Sequence, residues 1–212
     1  MLNSKFIKSI AIISTIGLMV SGCGNSSSND SSLSSSKLGF NGKLVDSAID
    51  GATWKCGTKS GVTTGGGLFG ICPFGSKVTF SIGNIVLGSV GATPDLIFTL
   101  NDVVDVPRDT KDNPTVGKIA SLLQSLDNDG SHSTGIVITQ AVIDALGTLE
   151  LKDVTDDVIK NVIIEVEKVE GTATGRKFVS NDVALANVAQ TLDDVKSGVV
   201  TKPTQPTDQS TN

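Results

Sequence analysis

The first stretch of the chain, Met1 to Cys23, is set apart from everything that follows it. Lys5 and Lys8 make a positively charged start, and Ile10 to Val20 is an apolar run interrupted only by Ser14, Thr15 and Gly17. Small residues, Ser21 and Gly22, then lead directly into Cys23. A positive end, a short apolar core and a small-residue exit describe a secretory signal peptide. The core is well short of the roughly 20 residues a spanning helix needs, so the segment reads as a cleaved export signal rather than a membrane anchor. Residues 1–22 are therefore taken out of the fold, and the remainder is sent to a compartment where disulfides persist.

The tetrapeptide Val20-Ser21-Gly22-Cys23 resembles the lipobox of bacterial lipoproteins. The resemblance implies cleavage before Cys23 and acylation of its thiol and new amino group. Gly24 follows, where an Asp would by analogy imply retention in the inner membrane, so the resemblance points to the outer membrane, lipid-anchored, with surface exposure. One acyl chain anchors only marginally, and two or three hold firmly. With Cys23 committed to lipid, Cys56 and Cys72 remain of the three cysteines. Their spacing suits a disulfide between two neighbouring strands of one sheet; the alternative is two separate buried thiols.

Asn25 to Lys37 reads NSSSNDSSLSSSK, so 23–38 is a lipidated cysteine with a Ser-rich tether. Such a coil reaches about 20 Å. From 39 to 91 the pattern is that of strands. Runs at Gly42–Val45, Ala52–Cys56, Leu68–Ile71, Lys77–Ile82 and Ile85–Leu87 are separated by Gly, Asp, Asn, Ser and Pro. Val78-Thr79-Phe80-Ser81-Ile82 alternates as a half-buried strand does. Gly65-Gly66-Gly67 reads as a tight turn, because no Lys or helix pattern follows at the spacing a phosphate loop needs.

Gly42-Lys43-Leu44-Val45-Asp46 leading to Gly51-Ala52-Thr53-Trp54, with Thr64 to Phe69 as a later turn, resembles the opening of a transthyretin-like or carboxypeptidase-regulatory-like β-sandwich. Over residues 42–196 the chain is also similar to a module at the head of exported proteobacterial surface proteins. Trp54-Lys55-Cys56-Gly57, Val78 to Gly88 and Leu123 to Gly130 carry that likeness. It implies a sandwich and a following helix, and is almost silent on activity.

Residues 92–114 carry Asp102, Asp105, Asp109 and Asp112 together with Pro94 and Pro107, and read as an acidic, solvated connector. Residues 115–198 are mainly helical. Val116, Ile119, Ala120, Leu123 and Leu126 share one face. Thr139 caps a short helix ending at Gly147, Thr155 caps a third, and Ser180 caps a last one that Gly198 stops. The β-branched density of Asn161–Val169 leaves helix and strand both open there. Residues 199–212 form a polar, Pro-containing tail expected to be disordered. The fold class is α+β: a small β-sandwich, then a mainly helical segment.

For chemistry, Asp127-Asn128-Asp129-Gly130-Ser131 is the sharpest stretch. Two carboxylates and the Ser131 hydroxyl around a Gly turn could hold calcium. The bidentate Glu expected at the twelfth position of such a loop is Ile138, so the site would be weak; the alternative is a plain helix-to-strand turn. His132, the single histidine, reads as an exposed loop residue beside these carboxylates. No Gly-x-Ser-x-Gly elbow accompanies it. The expectation is that the chain is not an enzyme and has no cofactor beyond such a weak Ca²⁺ site. A net charge of −5, made more acidic by loss of Lys5 and Lys8, disfavours nucleic acid as a partner. The sequence therefore points to an outer-membrane or cell-surface lipoprotein, held to the membrane by its lipid. Its expected role is a non-catalytic binding module for a protein or glycan, in adhesion or colonisation. The alternative is a periplasm-facing accessory lipoprotein of a secretion or pilus-assembly complex.

Overall fold

Strand alternation is where the sequence acts first. In Val78–Ile82 the residues Val78, Phe80 and Ile82 turn inward and are fully buried, while Thr79 and Ser81 face outward. The computed structural model describes residues 39–172 and 175–206. The signal, Cys23 and the Ser-rich tether lie outside the described residues. Among the described residues nine strands form, β1 Phe40–Val45, β2 Ile49–Asp50, β3 Thr53–Cys56, β4 Lys59–Val62, β5 Leu68–Cys72, β6 Val78–Ile82, β7 Ile85–Val90, β8 Ile97–Thr99 and β9 Ile136–Val137. Five α-helices accompany them, α1 Leu100–Val104, α2 Pro114–Ser125, α3 Gln140–Leu146, α4 Asp156–Glu170 and α5 Asn181–Lys196. The fold is α+β.

The strands make a four-stranded sheet in the order β4-β3-β6-β7, a three-stranded sheet in the order β5-β1-β8 and a two-stranded β2-β9 pair. Aromatic side chains join the two larger sheets. Phe69 of β5 meets Phe80 of β6 edge-on at 5.3 Å, Phe80 meets Phe98 of β8 at 6.1 Å, and Phe98 stacks on Phe40 of β1 at 6.0 Å. Burying each such ring contributes about 1.5–3 kcal/mol. The Cys56–Cys72 disulfide forms, with Cα atoms 5.5 Å apart. It does not join neighbours in one sheet. β3 is flanked by β4 and β6, so the bridge runs from the four-stranded sheet to the three-stranded one. Residue spacing reports loop length, and it does not report the sheet in which each strand ends up.

The supposed connector is core. β8 lies inside residues 92–114, pairs in parallel with β1 (Leu44 opposite Phe98), and has Ile97, Phe98 and Thr99 all buried. α1 follows at once, with Thr99 and Asp102 forming a reciprocal cap. The aspartates that made the stretch look solvated hold this corner together. Arg108 forks onto Asp95 at 2.6 Å and Asp102 at 2.8 Å, and donates to the Ile97 carbonyl.

α2 starts on an Asn113 cap with Pro114 in its first turn, and both of its faces are buried. Ser121 and Ser125 are buried with it, because their hydroxyls pair with the Val179 backbone. Thr139 caps α3 and Gly147 ends it; Thr155 caps α4. Asn161–Val169 is helical, its buried Val162, Ile163 and Val166 falling at helix spacing along α4. Ser180 stands at the N-cap of α5 but makes no side-chain cap hydrogen bond there. Among the described residues no helix is long and apolar enough to cross a membrane.

The strand and helix halves share one apolar cluster running from Phe40 to Val188. β9, from the helical half, returns to pair with β2, Ile49 opposite Ile136. Part of the tail is also engaged. Asn41 sits in a bulge of β1, and the Gln205 side-chain amide satisfies both its N–H and its carbonyl at 3.0 Å, with Pro203 buried alongside in the chain. Residues 207–212 lie outside the described residues.

Candidate functional site

Asp46 leaves the end of β1 and is 1 % exposed. The turn carrying it is fixed by Ser47, whose N–H donates to the Thr191 hydroxyl of α5 at 3.0 Å. Asp46 Oδ2 accepts from Gln124 Nε2 of α2 at 2.9 Å, and Gln124 Oε1 accepts from Asn187 Nδ2 of α5 at 2.7 Å. The other carboxylate oxygen, Oδ1, faces His132 Nε2 at 3.5 Å, and neither atom has a hydrogen-bond partner. His132 begins a single 3-10 turn, His132–Thr134. Its side chain is 22 % exposed, so it is not the exposed loop histidine expected, and it faces Asp46 rather than the carboxylates beside it in sequence. A cavity of about 390 Å³ opens here, lined by His132, Lys43, Ser47, Ser133, Thr191 and Asp194 among others. The His132 imidazole, the Asp194 carboxylate and several hydroxyls thus meet at a concave surface, the usual setting of a small-ligand site, with Asp46 buried beside His132. The Ser133 hydroxyl is paired with that of Ser131 at 3.1 Å.

The loop that carries His132 contains the three residues expected to bind calcium. The structure does bring Asp127, Asp129 and Ser131 together, but their donors and acceptors face one another. Asp127 takes the Val137 N–H at 2.8 Å on one oxygen and the Ser131 N–H at 3.1 Å on the other. Asp129 takes the Ser131 N–H at 2.8 Å and the Thr134 hydroxyl at 2.8 Å. Ser131 contributes its backbone N–H to both. Burial pushes Asp127 up to about 6 and the Asp129 carboxylate adds to the rise, against the pull of the Val137 and Ser131 amides. Asp129 is held low, first by the Thr134 hydroxyl and then by the Ser131 N–H and Asp127. A Cβ on Gly130 would run into the Gly175 carbonyl, so the loop needs glycine there. The geometry is a helix stop that aims β9 at β2 and sets His132 against Asp46. Among the described residues no group of three His, Cys, Asp or Glu side chains could hold a metal ion.

The Gly65–Gly67 turn likewise has an internal partner. Gly66 and Gly67 donate their N–H groups to Asp50, at 3.0 and 2.6 Å, which leaves them committed to a carboxylate of the chain itself. Beside that turn Val62 of β4, Leu68 and Ile71 of β5 and Phe74 just after β5 are each between 41 % and 58 % exposed, and Val62 and Leu68 line one concave patch. Trp54 lies beneath it with Gly61 and Gly70 against the indole, and is only 6 % exposed.

Sequence reasoning marked the loop around His132 as a candidate site but assigned no site role to Asp46, Gln124 or Asn187, whose contacts join distant parts of the chain. The available signal was Gln124, a polar residue set beside the apolar stripe of α2. Comparison of the chain with protein-family models, with curated proteins and with solved structures finds no match.

Proposed function

We propose that this chain is a lipid-anchored lipoprotein of the outer membrane or cell surface, whose folded unit is a non-catalytic binding module acting in adhesion or colonisation. The N-terminal charge pattern and Val20-Ser21-Gly22-Cys23 support the anchor. The observation that carries the binding role is the apolar surface of β4 and β5, where Val62 and Leu68 line one concave patch and Ile71 and Phe74 stand exposed further along the chain. Such patches mark interaction surfaces. The face favours a protein partner over a glycan, because its tryptophan is covered by Gly61 and Gly70 and offers no open ring for a sugar to stack on.

The test is protease shaving of intact against permeabilised cells, with Cys23→Ser fractionated in parallel. The expected results are digestion in intact cells and release of Cys23→Ser from membranes. Protection until permeabilisation would overturn surface display and favour a periplasm-facing accessory of a secretion or pilus-assembly complex. Full membrane retention of Cys23→Ser would overturn the anchor.

A further inference from the structure

We infer that Asp46 and His132 form a binding site for a divalent ion of the zinc class, beside the cavity that His132 lines between the β1–β2 turn and α5. The two candidate ligand atoms, Asp46 Oδ1 and His132 Nε2, face each other and have no hydrogen-bond partner. Buried polar atoms are nearly always satisfied, so two adjacent exceptions call for a common explanation. Their separation, 3.5 Å, is long for an N–H···O bond. It matches the distance of about 3.4 Å between two atoms that each sit about 2.1 Å from one tetrahedral ion. One imidazole and one carboxylate is a donor set for zinc and its neighbours rather than for calcium or magnesium, which prefer oxygen alone.

The surroundings are those of a prepared ligand. Asp46 is held through its second oxygen by Gln124, and Gln124 by Asn187, so the carboxylate cannot swing away. Outer hydrogen bonds of this kind orient ligands and sustain affinity. The charged groups lining the cavity are Lys43 on β1 and Asp194 on α5, one of each sign. Two protein ligands are fewer than the three or four of an ordinary zinc site, so the ion binds with modest affinity and needs a donor from water or a further molecule. The Asp127–Asp129 loop takes no part, its oxygens being engaged with Ser131, Thr134 and Val137.

The test uses the full chain in detergent, free of any polyhistidine tag and stripped with a chelator. Zn²⁺ is titrated by calorimetry and by thermal unfolding, and the His132 ring protons are followed by NMR. Because His132 is the single histidine, its signals are unambiguous. The expected result is one saturable site, a rise in Tm on saturation, and displacement of the His132 ring signals, with Ca²⁺ producing none of these. His132→Ala should lose at least tenfold in zinc affinity together with the zinc-dependent Tm rise, each protein being read against its own metal-free melt. Asp46→Asn is the second variant, and should leave the imidazole signals insensitive to zinc. Absence of a saturable zinc site, or equal affinity in His132→Ala, would overturn the proposal and reduce the pair to a direct hydrogen bond.

Discussion

Phe98→Ala is the substitution on which the two readings of residues 92–114 differ most. In a solvated connector the change would cost less than about 0.5 kcal/mol, the usual range for surface sites. In the structure Phe98 is fully buried on β8, the third strand of its sheet. It meets Phe40 at 6.0 Å, Phe69 at 5.2 Å and Phe80 at 6.1 Å, so it touches both sheets at their aromatic centre. Removing a ring from such a place loses its transfer free energy and leaves a cavity, together about 3–5 kcal/mol. The neighbours are rigid rings on separate strands and collapse poorly into the space, which argues for the upper half of that range. For a unit of this size the cost corresponds to a fall in Tm of roughly 6–20 °C. The assay is urea unfolding of the oxidised protein, read at the single tryptophan, Trp54, which packs on Phe69 at 5.9 Å. The midpoint should fall with little change in slope. Phe98→Leu, which fills much of the volume, should recover part of the loss. A cost below about 1 kcal/mol for Phe98→Ala would refute the placement of β8 in the core.

Replacing Cys56 and Cys72 together by Ala should lower stability by about 3 kcal/mol, seen as a lower denaturation midpoint, because the bridge closes a loop of separation 16 between two sheets. Asp127 is raised in the folded state to about 6 from an unfolded value of about 3.9, so its contribution is full below about pH 4 and is lost as pH rises through 6. The wild type should therefore lose up to about 3 kcal/mol relative to Asp127→Asn between pH 4 and 7 in parallel melts, and parallel curves would contradict the assignment. Arg108→Ala should cost about 1–3 kcal/mol by chemical denaturation, since it strips the donors from Asp95, Asp102 and the Ile97 carbonyl at once. Residues 39–91 expressed alone should show no cooperative melt, because β1 would lose its parallel partner β8 and Phe40 its stacked Phe98.

Much of the local structure was legible because it is locally determined. The alternation of Val78–Ile82 and the caps at Thr139 and Thr155 each follow from neighbours a few residues away. β8 was hidden because Ile97 to Leu100 is a short run buried on both sides, so it lacks the two-residue period that announces a half-exposed strand. Its flanking aspartates pair with Arg108 or cap α1 and imitate solvated loop. β4, Lys59–Val62, has no apolar pattern at all, being an edge strand placed by the turn that pairs Cys56 with Lys59. The identity of the disulfide was legible by counting cysteines, whereas its span between sheets depends on strand order, which no short window of residues encodes. The candidate site was the least legible part. Asp46, Gln124, His132 and Asn187 meet only after the β half and the helical half have closed on one another.

That convergence carries a physical cost, and the cost bears on what the site is for. Elsewhere the fold satisfies its buried polar groups with care. Ser121 and Ser125 bind the Val179 backbone, Thr63 accepts from the Ala52 N–H, and buried Arg176 reaches the Leu126 carbonyl, Glu170 and Thr139. Among the described residues three buried side-chain atoms lack a partner. One is Asn101 Oδ1, whose amide nitrogen still ties down the Pro107 and Thr110 carbonyls, so that side chain has a structural task. The other two are Asp46 Oδ1 and His132 Nε2, which point at each other beside a cavity. An apolar pair of similar volume would hold the same two turns together without the desolvation of a carboxylate. Departures from local consistency of this sort concentrate where a protein binds or reacts. A chain that satisfies its polar core almost everywhere and departs from the rule at one facing pair most plainly shows there where a ligand belongs.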